Sequence, residues 1–431
     1  MSAWGGAVFV RRVATLGGGR FVAAGISALW LVVAARQLPV EQFGDLAALL
    51  AIGTILAAVS DLGYPFLVSH AVAEAGSISE TTLRFVIRRR IPVGVAVAVV
   101  TSALYLVVAS DDSLAIPLLY GVSLLATVVY SSVSAALRGL HRYRPEALNE
   151  VLSRIGVLAL GWLLLVSGGG LPAAVGVYAA ADLASLVFLT RVARRCVVKT
   201  DDGIDLDGLR LRANLHLTTG RVFASAYARL DTWLMALLRG SANAALYGAP
   251  YRLLDGLLLI PRAAGAVVVP HFGTRSAARD LRRTALLTAV AMAIVAAPLV
   301  AFSASIMTAV FGERYAASAD AFAVLAASSV PGAVVVVLLP LAALRAPRAA
   351  AWIMGGALAV NTALNLALIP RFGPVGAAST TLGCQVVLAV VLLTAVRDQS
   401  TRPATEGAPG MSSMRCSATR ASRAVSSSTT I

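Results

Sequence analysis

Ionisable side chains stand inside long apolar stretches of this chain: Arg20, Arg154, Arg221, Arg229, Arg252 and Arg262, with Asp61, Asp182, Asp231 and Asp255. A charged side chain at the centre of a bilayer costs at least about 2.5 kcal/mol on insertion scales. It is retained when it pairs, snorkels or lines a wet cavity. Arginine outnumbers carboxylate here, and structural pairing alone would balance the two. A net positive pocket suits an anionic ligand. Guanidinium forks match phosphate oxygens bidentately and stay charged at any physiological pH. Arg252, Asp255, Leu259 and Arg262 fall within roughly 80° of one helix face, and Arg221, Ser225 and Arg229 share another. Arg20, Arg221, Arg262 and Asp61 each lie about 9–12 Å from the same end of their stretches at a 1.5 Å rise. They are expected to meet at one level of a cavity. The candidate ligand-binding set is therefore Arg20, Arg221, Arg229, Arg252 and Arg262, with Asp61, Asp231 and Asp255 as cavity or gating carboxylates. A plainer reading makes Arg252 and Asp255 an i,i+3 pair. Arg154 is expected to snorkel from a span end, and Asp182 to pair with it.

No catalytic or metal constellation accompanies these charges. Cys196, Cys384 and Cys416 have no metal or redox spacing and are expected to be free thiols. Asp201, Asp202, Asp205 and Asp207 lack the glutamate that would close a calcium loop, because position 212 is Arg212.

The elements that position these residues follow from hydropathy. The chain has 431 residues, 58% hydrophobic and 13% charged, with mean hydropathy +0.82 and formal charge +15. A soluble domain carries about a quarter charged residues. Apolar runs of about 20 residues, the length a helix needs to cross a bilayer core, recur along the chain. The fold class is an all-α polytopic membrane protein with about twelve transmembrane helices. The expected spans are 14–36, 43–69, 91–109, 114–136, 149–167, 172–192, 213–238, 245–269, 284–303, 319–344, 349–369 and 374–396. Pro39, Pro92, Pro172, Pro347 and Pro374 are placed near span starts, where a missing N–H costs little. Arg11 and Arg12 precede a run too long for a signal peptide, so the first span is expected to be an uncleaved anchor.

Loop charges alternate. About 26 basic residues fall in one set of loops and termini, including Arg84, Arg88, Arg89 and Arg90. The other set holds 4: Arg36, Arg239, Arg314 and Arg371. The positive-inside rule puts both termini in the cytoplasm, and the Ala, Val, Gly and Arg bias with almost no lysine suggests a GC-rich bacterial genome, so the expected location is a bacterial inner (plasma) membrane. The tail from 397, rich in Ser, Thr, Ala and Arg, is expected to be disordered.

The two halves echo each other. Gly19-Arg20-Phe21-Val22 matches Gly220-Arg221-Val222-Phe223, Phe43-Gly44 matches Tyr247-Gly248, and Gly176 matches Gly376. Six spans per half give a parallel pseudo-two-fold repeat of two six-helix bundles, which places a substrate site between the halves. The expected units are 1–192 and 213–396, joined by a cytoplasmic linker over 193–212 and followed by the tail, 397–431.

Longer motifs add a resemblance. Glu41-Gln42-Phe43-Gly44, Ser60-Asp61-Leu62-Gly63-Tyr64, Arg229-Leu230-Asp231-Thr232 and Leu246-Tyr247-Gly248-Ala249-Pro250-Tyr251-Arg252-Leu253 resemble polysaccharide-export flippases, in order and spacing. Val269-Pro270, Phe311-Gly312-Glu313-Arg314-Tyr315 and the run from Asn365 to Gly373 continue the match over about residues 10–396. The superfamily also holds drug/cation antiporters and lipid II flippases, which are the alternative readings. The resemblance implies two bundles around a cavity open alternately to each side. The substrate it implies is a polyprenyl-pyrophosphate-linked oligosaccharide, with Arg20, Arg221, Arg229 and Arg252 at positions that hold pyrophosphate and acidic sugars. It implies a transporter rather than an enzyme. The partners it implies are the lipid bilayer, that glycan lipid, and glycosyltransferases or a polymerase of the same pathway, with no nucleic acid. No cofactor is implied. A coupling cation is common in the family, but no cation site is legible here.

Overall fold

The computed structural model describes residues 4–61, 63–109, 113–198, 215–268 and 277–401. Within them it leaves aside the side chains of 4–20, 215–217, 266–268, 277–279, 344–345 and 396–401. The described residues form helices and no strand. In the first half these are α1 (Trp4–Gln37), α2 (Val40–Asp61), α3 (Tyr64–Ala75), α4 (Glu80–Leu106), α5 (Ala115–Gly139), α6 (Tyr143–Val166) and α7 (Gly170–Arg195). The second half has α8 (Leu215–Arg239), α9 (Ser241–Leu257), α10 (Leu259–Val268), α11 (Ala277–Ala301), α12 (Ser303–Phe311), α13 (Ala319–Arg345) and α14 (Pro347–Thr401), with a 3-10 turn at Glu313–Ser318.

Eight stretches among the described residues are individually long and apolar enough to cross a membrane. One of them, in α14, is long enough for two crossings and bends at Gly373, whose φ of 55° and ψ of −135° leave the helix. The remaining crossings fail that simple test for physical reasons. α1 has a shorter apolar part, Phe21–Gln37. α8 carries Arg221, Arg229, Asp231 and Arg239. α9 and α10 are one crossing interrupted at Leu258. Together they make the twelve expected spans.

The eighth crossing has a counterpart in the second, where α2 gives way to α3 around Gly63. Its φ of +80° is a left-handed conformation that only glycine adopts without strain. Outward-facing side chains are apolar: Ile294 is 71% and Trp352 78% exposed. Such patches would be a liability in water but suit a hydrocarbon surround.

Three boundaries differ from the hydropathy reading. α4 starts at Glu80, so Pro92 lies inside it rather than at its start. The cause is local. The Ser79 hydroxyl caps α4 by accepting the Thr82 N–H at 3.1 Å, and Arg84 pairs with Glu80 at 2.9 Å. A polar stretch that reads as loop is thus a helical extension of the span. The outer loop near 303–318 folds as α12 and the 3-10 turn. The last helix continues to Thr401. The linker over 199–214 and the tail beyond 401 lie outside the described residues, as does Cys416, while Cys196 and Cys384 are free.

Within each half the helices pack mainly on one another: α1 on α6 and α5 on α4 and α7, then α13 on α11 and α14 and α14 on α8. The halves meet where α2 runs against α8 and α9. Small residues allow this approach, as they do between membrane helices generally. A Cβ on Gly44 of α2 would come within 1.8 Å of the Ser241 carbonyl oxygen at the start of α9. A Cβ on Gly248 of α9 would meet Ala47 of α2 at 3.1 Å. Gly44 and Gly248, one matched pair of the repeat, therefore lie on the pseudo-two-fold contact itself.

Candidate functional site

The end of the molecule bearing the arginine-poor loops is sealed. Trp30, Leu38, Phe43 and Leu46 of the first half share one buried cluster with Phe311, Tyr315 and Phe322 of the second. Phe43 and Tyr315 meet edge to face, with centroids 6.0 Å apart at 88°. Around this core the bonds between halves are reciprocal. Arg36, at the end of α1, donates to the carbonyls of Val310 (2.8 Å) and Ala309 at the end of α12. Arg314 donates to the carbonyls of Arg36 (2.6 Å) and Leu38 (3.3 Å). Each arginine thus serves carbonyls that a helix C-terminus leaves without intrahelical partners, at the negative end of its dipole. Ser241 also donates to the buried carboxylate of Asp45 across the same contact.

About 24 Å farther along α2, at 1.5 Å per residue, the halves part around a cavity of about 260 Å³. The first half contributes Thr54, Ser60, Asp61 and Ser131, and the second Thr218, Arg221 and Ser225. The cavity is polar along one side because α2 brings Asp61 to its last turn, while α8 presents Arg221 and Ser225 one turn apart. Arg221 is exposed and forms no ion pair with the described residues.

Asp61 is held from behind by Arg90 of α4. The guanidinium stands 3.5 Å from its Oδ1 and donates to the carbonyls of Ser60 (2.7 Å) and Val128 (3.3 Å). It also lies over the Tyr64 ring at 5.4 Å. Arg90 is only 3% exposed. It counts with the loop set in the sequence, yet it is an intramembrane arginine that clamps the break between α2 and α3. A signal existed. Leu83, Val86, Arg90, Gly94, Val97 and Thr101 form one buried stripe at helical spacing.

A second cluster joins α8 to α9. Asp255 accepts from Arg229 Nη2 at 2.8 Å and lies 3.5 Å from Arg252 Nη1. Arg229 also stacks over Tyr251 at 5.5 Å. Arg252 of this group lies within electrostatic reach of Tyr178 on α7 of the other half. Two guanidiniums on one carboxylate leave it a net positive charge.

The other expected residues are placed differently. Asp231 is 1% exposed and turned into the second half, accepting from Tyr247 and from the Thr232 N–H, and it does not line the cavity between the halves. Arg262 is exposed on α10, beyond the interruption at Leu258, so the helix face it was expected to share with Arg252 and Asp255 is broken. Arg20 falls within α1, with its side chain outside the described ones. The pairing expected between Arg154 and Asp182 is replaced. Arg154 stands 3.7 Å from Glu150 on its own helix, and Asp182 accepts from Ser123. Each of the two has a nearer partner, which is why they do not seek each other. Among the described residues no cluster of three or more metal-ligating side chains occurs.

Comparison with known proteins supports this architecture. The family model described as "Polysaccharide biosynthesis protein" matches residues 9–276. No sequence among curated proteins matches. Solved structures do. An inward-facing multidrug resistance MATE family transporter of the MOP superfamily is 14% identical. It aligns over 88% of this chain and 94% of its own, with a TM-score of 0.66. The lipid II flippase MurJ in an inward closed conformation is also 14% identical, over 88% of this chain and 86% of its own, at 0.66. The Vibrio cholerae MATE transporter VcmN in its bent form is 12% identical, over 90% and 96%, at 0.57. These likenesses establish a two-lobed transporter fold.

Proposed function

Because the chain belongs to the polysaccharide biosynthesis protein family, we propose that it flips a polyprenyl-pyrophosphate-linked oligosaccharide from the cytoplasmic to the outer leaflet. The observation that carries this reading is Arg221 facing Asp61 across a cavity between the halves, with the opposite end sealed. A pyrophosphate is a compact, multiply charged anion. Arg221 gives it a cation not already committed to a carboxylate, and the Arg229, Arg252 and Asp255 group adds net positive charge nearby.

The arginine-rich loops face the cytoplasm in this reading, so both termini are cytoplasmic, the membrane is the inner one and the cavity opens inward. The halves 1–192 and 213–396 rock about the contact of α2 with α8 and α9. A ligand shifts such an equilibrium only by binding one state better. The bound anion does so by drawing Arg221 and the Arg229–Arg252 group together, which closes the inner end and loads the outer seal. The polyprenyl tail stays in lipid throughout. Glycosyltransferases that build the glycan and a polymerase that consumes it are the expected partners.

The test is reconstitution. Proteoliposomes carrying a fluorescent polyprenyl-pyrophosphate oligosaccharide should show protein-dependent exchange between leaflets, and Arg221→Ala should abolish it while inserting normally. Normal flipping by that variant would sink the site assignment. Flipping of lipid II alone, or export of cationic drugs alone, would replace the substrate with that of a structural neighbour.

A further inference from the structure

The inter-half cavity continues into a second one of about 340 Å³, and the two share Asp61, Ser131 and Arg221. The second cavity has a different chemistry. Its walls come from α5 and α6 on one side and α3 on the other, and its carboxylates are already compensated. Glu146 accepts from Arg138 at 2.7 Å, and Glu150 stands 3.7 Å from Arg154. Asn149 lines the same wall with an amide that makes no hydrogen bond to the described residues. Tyr130 and Ser134 add hydroxyls. Opposite them Phe66 is 55% exposed, an apolar ring set in a polar cavity.

Donors and acceptors fixed in place, little net charge and one open aromatic face suit a ligand rich in hydroxyls with an apolar ring face. The volume lies within the usual range for small-molecule sites. A carboxylated sugar here would find the cations of that wall already engaged, Arg138 with Glu146 and Arg154 with Glu150, and would gain no partner for its own charge. We propose that this cavity is a glycan subsite. It takes the uncharged sugar nearest the pyrophosphate while Arg221 holds the anion, and it discriminates against uronic acids. Asn149 bonds ring hydroxyls through both its amide groups, and Phe66 covers the ring's apolar face. This inference rests on the flippase reading above and narrows its substrate to glycans that begin with a neutral sugar.

Three short-chain probes test it against purified protein in nanodiscs: a prenyl pyrophosphate alone, one bearing a neutral hexose, and one bearing a hexuronic acid. The hexose should tighten binding about tenfold over the bare probe, the gain of one or two net hydrogen bonds. The uronate should add nothing. Asn149→Ala combined with Phe66→Ala should erase the hexose gain and leave the bare probe within about twofold, a result that also reports an intact fold. Arg221→Ala should weaken all three probes alike. The subsite is overturned if the bare probe binds and the hexose adds nothing, if the uronate binds as tightly as the hexose, or if the double variant keeps the gain. No binding of any pyrophosphate probe would remove the flippase reading together with the subsite.

Discussion

The two ends of the contact between halves use the same side chain in opposite ways. At the sealed end Arg36 and Arg314 spend their donors on main-chain carbonyls of the opposite half. At the cavity end Arg221 forms no ion pair with the described residues, and Asp61 takes its partner from behind, in Arg90. The first arrangement holds surfaces together; the second leaves capacity for a ligand. Position relative to a helix end decides which occurs. Arg36 reaches the last turn of α12, and Arg314 the end of α1, where carbonyls lack intrahelical partners. Arg221 sits in the body of α8, where the helix consumes its own carbonyls. An arginine inside a span is therefore informative only once its helix boundaries are known.

Four substitutions would break or sharpen this contrast. The largest effect is expected at the cavity end. Arg221→Ala should lower leaflet exchange by about 100-fold or more, in keeping with loss of a charge-assisted bidentate contact. Its melting temperature in detergent should stay within a degree or two of the wild type, and a large drop would mean that Arg221 is structural.

Gly44→Val acts at the sealed end, where a side chain would strike the Ser241 backbone. We expect about 3 kcal/mol against the sealed state, read as increased labelling, from the sealed side, of a cysteine placed at Ala47. Unchanged labelling would show that α2 and α9 can part without opening a path.

Arg90→Met leaves Asp61 and two carbonyls without their donor. About 2–3 kcal/mol of stability should be lost, less than for a fully buried pair because Asp61 is partly hydrated. Chemical denaturation would measure it. If stability holds and only flipping falls, Arg90 belongs with the ligand groups rather than with the clamp.

The smallest effect belongs to Arg36→Gln, about 1 kcal/mol, since that arginine is exposed as well as bonded. Double spin-label distances across the seal should show a modest population with that end open. It should grow further with Arg314→Gln, because the Arg36 carbonyl is itself an acceptor for Arg314. A loss in the double variant no greater than in either single one would mean that the two arginines act as one bond.

Much of the architecture was legible because hydropathy and loop charge are long-range averages. The spans, the alternation of loops and the repeat all survive an error of a few residues. The placement of Gly44 and Gly248 on the pseudo-axis was foreshadowed by their matching motifs. The site was harder to read because it depends on single rotations and single helix ends. Arg90 counted as loop because the Ser79 cap, which carries α4 eleven residues beyond the expected span, is a local hydrogen bond. Asp231 read as a cavity carboxylate because sequence cannot tell which side of α8 finds Tyr247. The Arg252 to Arg262 face failed at Leu258, an interruption with no glycine or proline at the residue itself. The pairing of Arg229 and Arg252 with Asp255 mixes both readings, an i,i+3 contact that also recruits an arginine from the neighbouring helix.

The reciprocal arginine seal has a thermodynamic consequence. Guanidinium does not lose its proton at any pH a cell meets, and a peptide carbonyl has none to lose. The acceptors of Arg36 and Arg314 are main-chain carbonyls, and a substitution in a partner side chain cannot delete a main-chain acceptor. That lock answers to shape alone, so whatever energy opens it must first be converted into movement of helices elsewhere in the molecule.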